Sequence, residues 1–261
     1  KFIKQLLRMH GSHYHGECMT TKPKVKWWSQ IPHMEKVMPP QPAKEFFPKW
    51  YKDIKTPRIT ETVPNIKACP SFPLWFHQGY VVPAWCDIVL IYNKETGGHG
   101  WKTPNEAYQM MFHPNKQLVP YLPEHIKNDV AFILKTECPW RMVTPEGYST
   151  MQLNMYYEYN PLFEVLSGII PTDTWHQINQ QLIIKKSTFE KLGKDSLDSP
   201  NHKYIKIVKG TPLAVYVPFK REDYEHEIVP YPKDKELFEL DETNMLKIKG
   251  KFFKRLPQLK D

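Results

Sequence analysis

The chain lacks the short motifs that mark most hydrolytic and phosphate-handling enzymes. It has no G-x-S-x-G, no H-E-x-x-H and no Walker sequence, which excludes a nucleophile elbow, a zincin site and a P-loop. Glycine is scarce, 11 residues against 25 prolines, so helices of more than a few turns are hard to place and extended segments are favoured. None of the four cysteines (Cys18, Cys69, Cys86, Cys138) forms a C-x-x-C pair, the pattern of free thiols in a reducing compartment. No apolar run approaches the roughly 20 residues of a membrane span, and no membrane partner is expected. A signal peptide is not expected either, because the first apolar cluster (Phe2, Ile3, Leu6, Leu7) is brief and gives way to histidines. No internal repeat is visible.

What is present is a globular composition. Hydrophobic residues at 41% and aromatics at 13% of 261 residues exclude a disordered chain and suit one all-β domain. The net charge of +8 attracts anionic surfaces, nucleic acid among them. Residues 140–222 organise the rest. Short apolar runs alternate there and are punctuated by Pro-Glu-Gly, Ser-Gly and Lys-Gly-Thr-Pro turns, the pattern of consecutive strands. Ser149, Met151, Leu153 and Met155 share one face, and Thr150, Gln152, Asn154 and Tyr156 the other. Leu213, Val215, Val217 and Phe219 repeat the alternation.

Residues 1–63 read as an extended Pro-rich arm. His10, His13, His15 and Cys18 have spacing that a metal could use, but a zinc site takes four well-placed ligands, usually from two segments, and a polar loop is the expected reading. Lys22, Lys24 and Lys26 alternate before Trp27 and Trp28. They form either an edge strand with its tryptophans anchored or a basic–aromatic strip for single-stranded nucleic acid. Near Ala43 a helical turn is expected, with Phe46, Phe47, Trp50 and Tyr51 on one face and Pro48 at an early position. This aromatic knob docks on its own core or on a neighbouring subunit.

Residues 64–222 are the expected β core. A long strand is expected from Tyr80 to Tyr92, apolar on both faces and interrupted by Asp87, a carboxylate that is either paired or at a site. Thr96-Gly97-Gly98-His99-Gly100 supplies a hairpin turn. Further strands are expected over residues 101–113 and 129–136. His77, His99, His113 and His176 lie at loop edges or strand ends, and His33-Met34-Glu35 has the spacing of an iron-oxygenase motif but sits in the arm. Residues 223–261 are expected to form one short helix and a basic tail (Lys247, Lys249, Lys251, Lys254, Arg255).

The runs PAKEFFPKWYKDIK, IKACPSF, GYVVPAWCDI, TPEGYS, LSGIIPTDTW and KGTPLAVYVPFKRE resemble a family of tailed-phage proteins whose bacterial relatives share the second half. The resemblance covers most of residues 39–223 and implies no activity. The order T-P-x-G-Y-S, G-I-I-x-T-D, K-G-T-P-L-A is also similar to the dUTPase-like β-clip. In that enzyme family the serine turn binds phosphate and a hairpin Asp orients the attacking water. The resemblance gives Ser149 the first role. Pro171 stands where the hairpin carboxylate belongs, and Asp173 lies two residues on. No arginine adjoins the serine, and Glu146 brings negative charge instead. Loss of a general base costs roughly 10²–10⁴-fold in rate, so the resemblance implies a scaffold without its catalytic group. Relatives of the β-clip also decorate phage capsids.

These readings converge on a mainly β single domain, β-clip or barrel-like, with a long Pro-rich N-terminal arm and a short C-terminal helix. The expected function is that of a phage structural or interaction protein in an oligomer, without catalysis or cofactor, located in the virion or the host cytoplasm. Its partners are other phage subunits or itself, and nucleic acid through the basic termini. Trp27, Trp28, Phe46, Phe47, Trp50 and Tyr51 are the expected interaction residues. The alternative is a dUTPase-like nucleotide-binding or nucleotide-modifying enzyme that uses Ser149 and Asp173 for catalysis, and Ser149 and Lys209 for the nucleotide.

Overall fold

The computed structural model describes residues 22–55, 65–69, 71–104, 108–196 and 199–228. His10, His13, His15, Cys18 and the expected C-terminal helix lie outside the described residues. The chain divides into two compact units, Lys1–Phe46 with His77–Arg221, and Phe47–Phe76 with Glu222–Asp261. All described strands belong to the first unit.

In chain order these are β1 (Lys26–Ser29), β2 (Gln41–Pro42), β3 (Tyr80–Pro83), β4 (Ile88–Asn93) and β5 (His99–Lys102). Then come β6 (Met110–His113), β7 (Val130–Thr136), β8 (Trp140–Val143), β9 (Tyr148–Leu153) and β10 (Glu164–Val165). The last are β11 (Gly168–Ile170), β12 (Gln181–Lys185), β13 (Lys194–Ser196), β14 (Ser199–Ile207) and β15 (Pro212–Lys220). They build four antiparallel sheets, ordered β1-β8, β10-β12-β7-β6, β11-β9-β15-β3-β2 and β13-β14-β4-β5. The protein is mainly β, and none of the described sheets closes into a barrel.

β15 is the centre of the largest sheet, flanked by β9 and β3. Leu213 to Tyr216 are therefore all buried, as expected of a strand covered on both faces. Pro42 sits on the edge strand β2, where a missing N–H costs nothing. The long strand expected from Tyr80 to Tyr92 is two strands in two sheets. Pro83 ends β3, and the chain turns through Ala84–Asp87 before β4. Asp87 is paired at this corner. It accepts the Lys209 N–H at 2.8 Å and meets Lys206 Nζ at 2.6 Å, contacts that hold its carboxyl below the usual range, the Lys206 bond most of all. The strand expected over 101–113 is likewise divided between β5 and β6.

The interior of β9 differs from the usual pattern. Thr150 and Gln152 are the inward residues, at 0% and 3% exposure, while Met151 and Leu153 are only half-buried. Their partners make this possible. Gln152 Oε1 accepts from the Tyr216 hydroxyl at 2.9 Å, and that oxygen accepts from Gln180 Nε2 at 2.6 Å. Thr136 Oγ1 donates to Gln180 Oε1, and Gln152 Nε2 donates to the Leu166 carbonyl at 2.9 Å. A second chain of hydroxyls runs from Thr144 to Thr172 (2.8 Å) to Thr150 (2.7 Å). Buried polar groups survive only when paired in this way.

Gly79 shows how tightly β3 enters the sheet. Its φ is +76°, and a Cβ there would lie 2.5 Å from the Tyr216 carbonyl oxygen. Gly79→Ala is expected to cost about 2–3 kcal/mol, combining left-handed strain with a backbone clash. Thermal melting checks this, and an unchanged Tm would show that the strand entry shifts freely.

In the second unit, short helices at Lys49–Asp53 and Ser71–Phe76 interleave their rings. Phe47 stacks on Phe76 with centroids 4.4 Å apart, and Tyr51 on Phe72 at 4.3 Å. Trp50 meets Phe72 edge-on at 5.5 Å.

Candidate functional site

The turn before β9 carries Gly147 at φ +79°, which aims its N–H at Asp173 Oδ2, 3.0 Å away. Arg221, just beyond β15, completes a clasp. Its guanidinium donates to Asp173 Oδ1 at 3.0 Å, to Asp173 Oδ2, to Ser149 Oγ at 2.9 Å and to the Tyr148 carbonyl at 2.9 Å. Arg221 thus adjoins Ser149 in space although 72 positions separate them in sequence. The Asp173 side chain is only 5% exposed. Its carboxyl is held down to about 2, first by the Arg221 bond and then by the Gly147 N–H. A base so weak, with both oxygens engaged, is poorly placed to take a proton from water near neutral pH.

The clasp has a pH signature. A folded pKa below the unfolded value near 3.9 stabilises the fold fully above about pH 4 and loses that stabilisation as pH falls through about 2. Asp173→Asn is expected to be less stable than the wild type at pH 7, with the gap closing between pH 4 and 2. Urea unfolding across that range checks it, and a gap independent of pH would count against the clasp.

Ser149 is 2% exposed and committed to Arg221. Lys209 stands at the other end of β15. Ser149 pairs with Phe219, and Lys209 precedes Pro212, so about 20 Å or more separates them at roughly 3.3 Å per residue. Ser149 and Asp173 come together; Lys209 does not join them. Trp27 packs edge-on against Tyr80 and Tyr216, at 5.7 and 6.4 Å, while Trp28 and Trp50 are each 44% exposed. His99 stacks on Phe132 at 4.8 Å. Among the described residues no three His, Cys, Asp or Glu side chains gather as metal ligands.

A groove of about 420 Å³ opens beside the clasp, between β11 and the end of β12. Lys135 and Gln181 are cross-strand neighbours on β7 and β12, and both line it together with Asn179, Gln177, Trp175 and Ile169. Trp175 and Ile169 are 60% and 65% exposed. Asn179 Oδ1 accepts from the Cys138 N–H and from Gln177 Nε2 at 3.2 and 3.3 Å. Lys135 has no ion-pair partner among the described residues. Sequence reasoning missed this groove. Lys135 and Gln181 lie on strands 46 positions apart, and only their pairing makes them a site.

No family model matches this sequence, and no curated protein does. Among solved structures the chain is similar to a mutant dUTPase of Staphylococcus bacteriophage 80alpha with dUpNHpp, at 10% identity and a TM-score of 0.36, over 80% of this chain and 90% of that one. It is also similar to the dUTPase of phage phi11 of S. aureus, at 12% identity and a TM-score of 0.33, over 80% and 98% of the two chains. The native dUTPase of EIAV follows at 11% identity and a TM-score of 0.29, over 60% and 86%. Scores near one third lie below those of a shared fold, so no residue role is carried over from these enzymes.

Proposed function

We propose that this chain is a nucleotide-binding protein of the infected cell that holds its ligand in the β11–β12 groove and does not use Asp173 as a hydrolytic base. One observation carries the reading. A lysine without an ion-pair partner among the described residues, two side-chain amides and an exposed indole line one groove, whose volume falls within the roughly 300–1,000 Å³ of small-molecule sites. Each group has a separate task. The Trp175 ring stacks on a base, the Gln181 and Asn179 amides pair with a base edge through donor and acceptor together, and Lys135 meets a phosphate. The test is thermal melting against ribo- and deoxyribonucleoside mono-, di- and triphosphates, with and without magnesium. A ligand at 100 times its Kd adds about 2.7 kcal/mol, a rise of several degrees. No rise with any nucleotide overturns the reading.

A structural role in the virion is the second reading. It is supported by Trp50 and Trp75, 44% and 40% exposed beside the stacked rings of the second unit. Mass spectrometry of purified particles that finds a fixed copy number supports it, and absence from particles overturns it.

A further inference from the structure

The sheet β13-β14-β4-β5 has one face in the core and one turned outward. Ile88, Leu90 and Tyr92 on β4 are buried, as are Ile205 and Ile207 on β14, so Val89, Ile91, Tyr204 and Lys206 take the opposite face. The register then sets two rows across it. One runs Lys194, Tyr204, Ile91, Gly100, and the next runs Lys206, Val89, Lys102. Adjacent strands lie about 4.8 Å apart, so the lysines stand within roughly 10 Å on either side of a half-buried tyrosine and two small apolar side chains. Lys102, Lys194 and Lys206 are exposed. Among the described residues Lys102 and Lys194 have no ion-pair partner. Lys206 pairs with Asp87. Asp195, on β13, is held by Lys203 at 3.8 Å, in a cross-strand pair one register position away from the Tyr204 row. Glu95 stands in the β4–β5 turn, where Asn93 Oδ1 accepts its N–H.

We propose that this face binds single-stranded nucleic acid. A sheet face that presents one aromatic ring amid lysines offers a stacking platform and an electrostatic track together, the two elements of sequence-tolerant strand binding. Gly100, without a side chain, leaves the Tyr204 row open at its far end, where a base can lie against the sheet. The chain's net charge of +8 favours approach by a polyanion. Tyr204 stacks one base while Lys102 and Lys194 contact phosphates on either side, and Lys206 shares its charge between Asp87 and the strand. The face is separate from the Lys135 groove and does not rest on the nucleotide reading.

Fluorescence anisotropy of the full chain with labelled 20-residue oligothymidylate, over a range of salt, tests this. The wild type is expected to bind at 50 mM salt and to weaken steeply as salt rises. Lys102→Glu combined with Lys194→Glu is expected to raise Kd at least tenfold and to flatten the log–log salt slope by about 1.4, at roughly 0.7 for each phosphate that is no longer neutralised. Tyr204→Leu keeps the bulk and removes the ring, and is expected to raise Kd several-fold with the slope unchanged. Both lysines are exposed and make no ion pair among the described residues, so these variants fold; melting curves verify it. No binding at 50 mM salt overturns the proposal, as does an unchanged Kd in the lysine variant. Equal competition by inorganic polyphosphate or phosphatidylserine vesicles, with Tyr204→Leu silent, also overturns it and leaves a generic polyanion surface.

Discussion

Gln180→Leu is expected to lower stability by about 3 kcal/mol, although leucine is the more hydrophobic residue. Gln180 is fully buried, and its amide serves two other buried groups. Nε2 donates to the Tyr216 hydroxyl at 2.6 Å, and Oε1 accepts from Thr136. Leucine removes both bonds, leaving the Tyr216 hydroxyl with only its Gln152 acceptor and Thr136 Oγ1 with only its long Gln180 backbone contacts. Weakening the pairing of a buried polar group costs about 1–3 kcal/mol. Tyr216→Phe removes the hydroxyl from the middle of the same network. It leaves Gln180 Nε2 and Gln152 Oε1 without their partner, at a cost of about 2 kcal/mol. Because the two substitutions remove opposite ends of one bond, the double variant is expected to cost at least about 1 kcal/mol less than the sum. Strict additivity in urea unfolding would mean that the network is not a unit. Burial raises the Tyr216 phenol well above its ordinary value and pushes the neighbouring Cys138 thiol up to about 11. Both stay protonated, and neither is a nucleophile at neutral pH.

That network also shows what a period of two can and cannot reveal. The alternation over 148–153 makes β9 legible as a strand, and the turns at Gly97, Gly147 and Gly210 are legible from glycine at positive φ. Which face of β9 points inward is not. Met151 and Leu153 are the hydrophobic choice, yet Thr150 and Gln152 are inside because Thr172 and Tyr216 meet them there. No local pattern contains that information. The break between β3 and β4 is legible in principle, since Pro83 falls inside the apolar run and proline ends a central strand. Asp87 is legible as a carboxylate in need of a partner, but its partners come from β14 and the turn beyond it.

The clasp follows the same logic. Ser149 and Asp173 stand out on motif grounds, while Arg221 reads as one cation in a Lys-Arg-Glu terminus. Antiparallel pairing of β15 with β9 brings Lys220 opposite Tyr148, and the next residue reaches the serine and the aspartate together. The residue that joins Ser149 to Asp173 is therefore the one that sequence adjacency hides. It makes Asp173 half of an ion pair.

In the groove, Lys135→Glu is expected to weaken binding of any nucleotide that raises the melting temperature by about 100-fold. Reversal replaces a phosphate attraction with repulsion, and charged groups near a protein surface interact by up to about 4 kcal/mol at 4 Å. Solvent and salt reduce this to about 2.7 kcal/mol, the equivalent of 100-fold. Trp175→Ala removes the stacking surface, which is worth about 1–3 kcal/mol per base, or roughly 5–160-fold. The two variants separate by ligand. Stripped of its phosphates, the corresponding nucleoside loses its Lys135 contact but keeps the ring, so Lys135→Glu leaves its Kd unchanged while Trp175→Ala still weakens it. Raising salt from 0.05 to 0.5 M shortens the screening length to a few ångströms. It is expected to shrink the Lys135 effect and spare the Trp175 effect. Isothermal titration of both variants with nucleotide and nucleoside measures all four quantities. If Lys135→Glu weakens nucleoside and nucleotide equally, the lysine does not face the phosphate, and the ligand lies along the groove the other way.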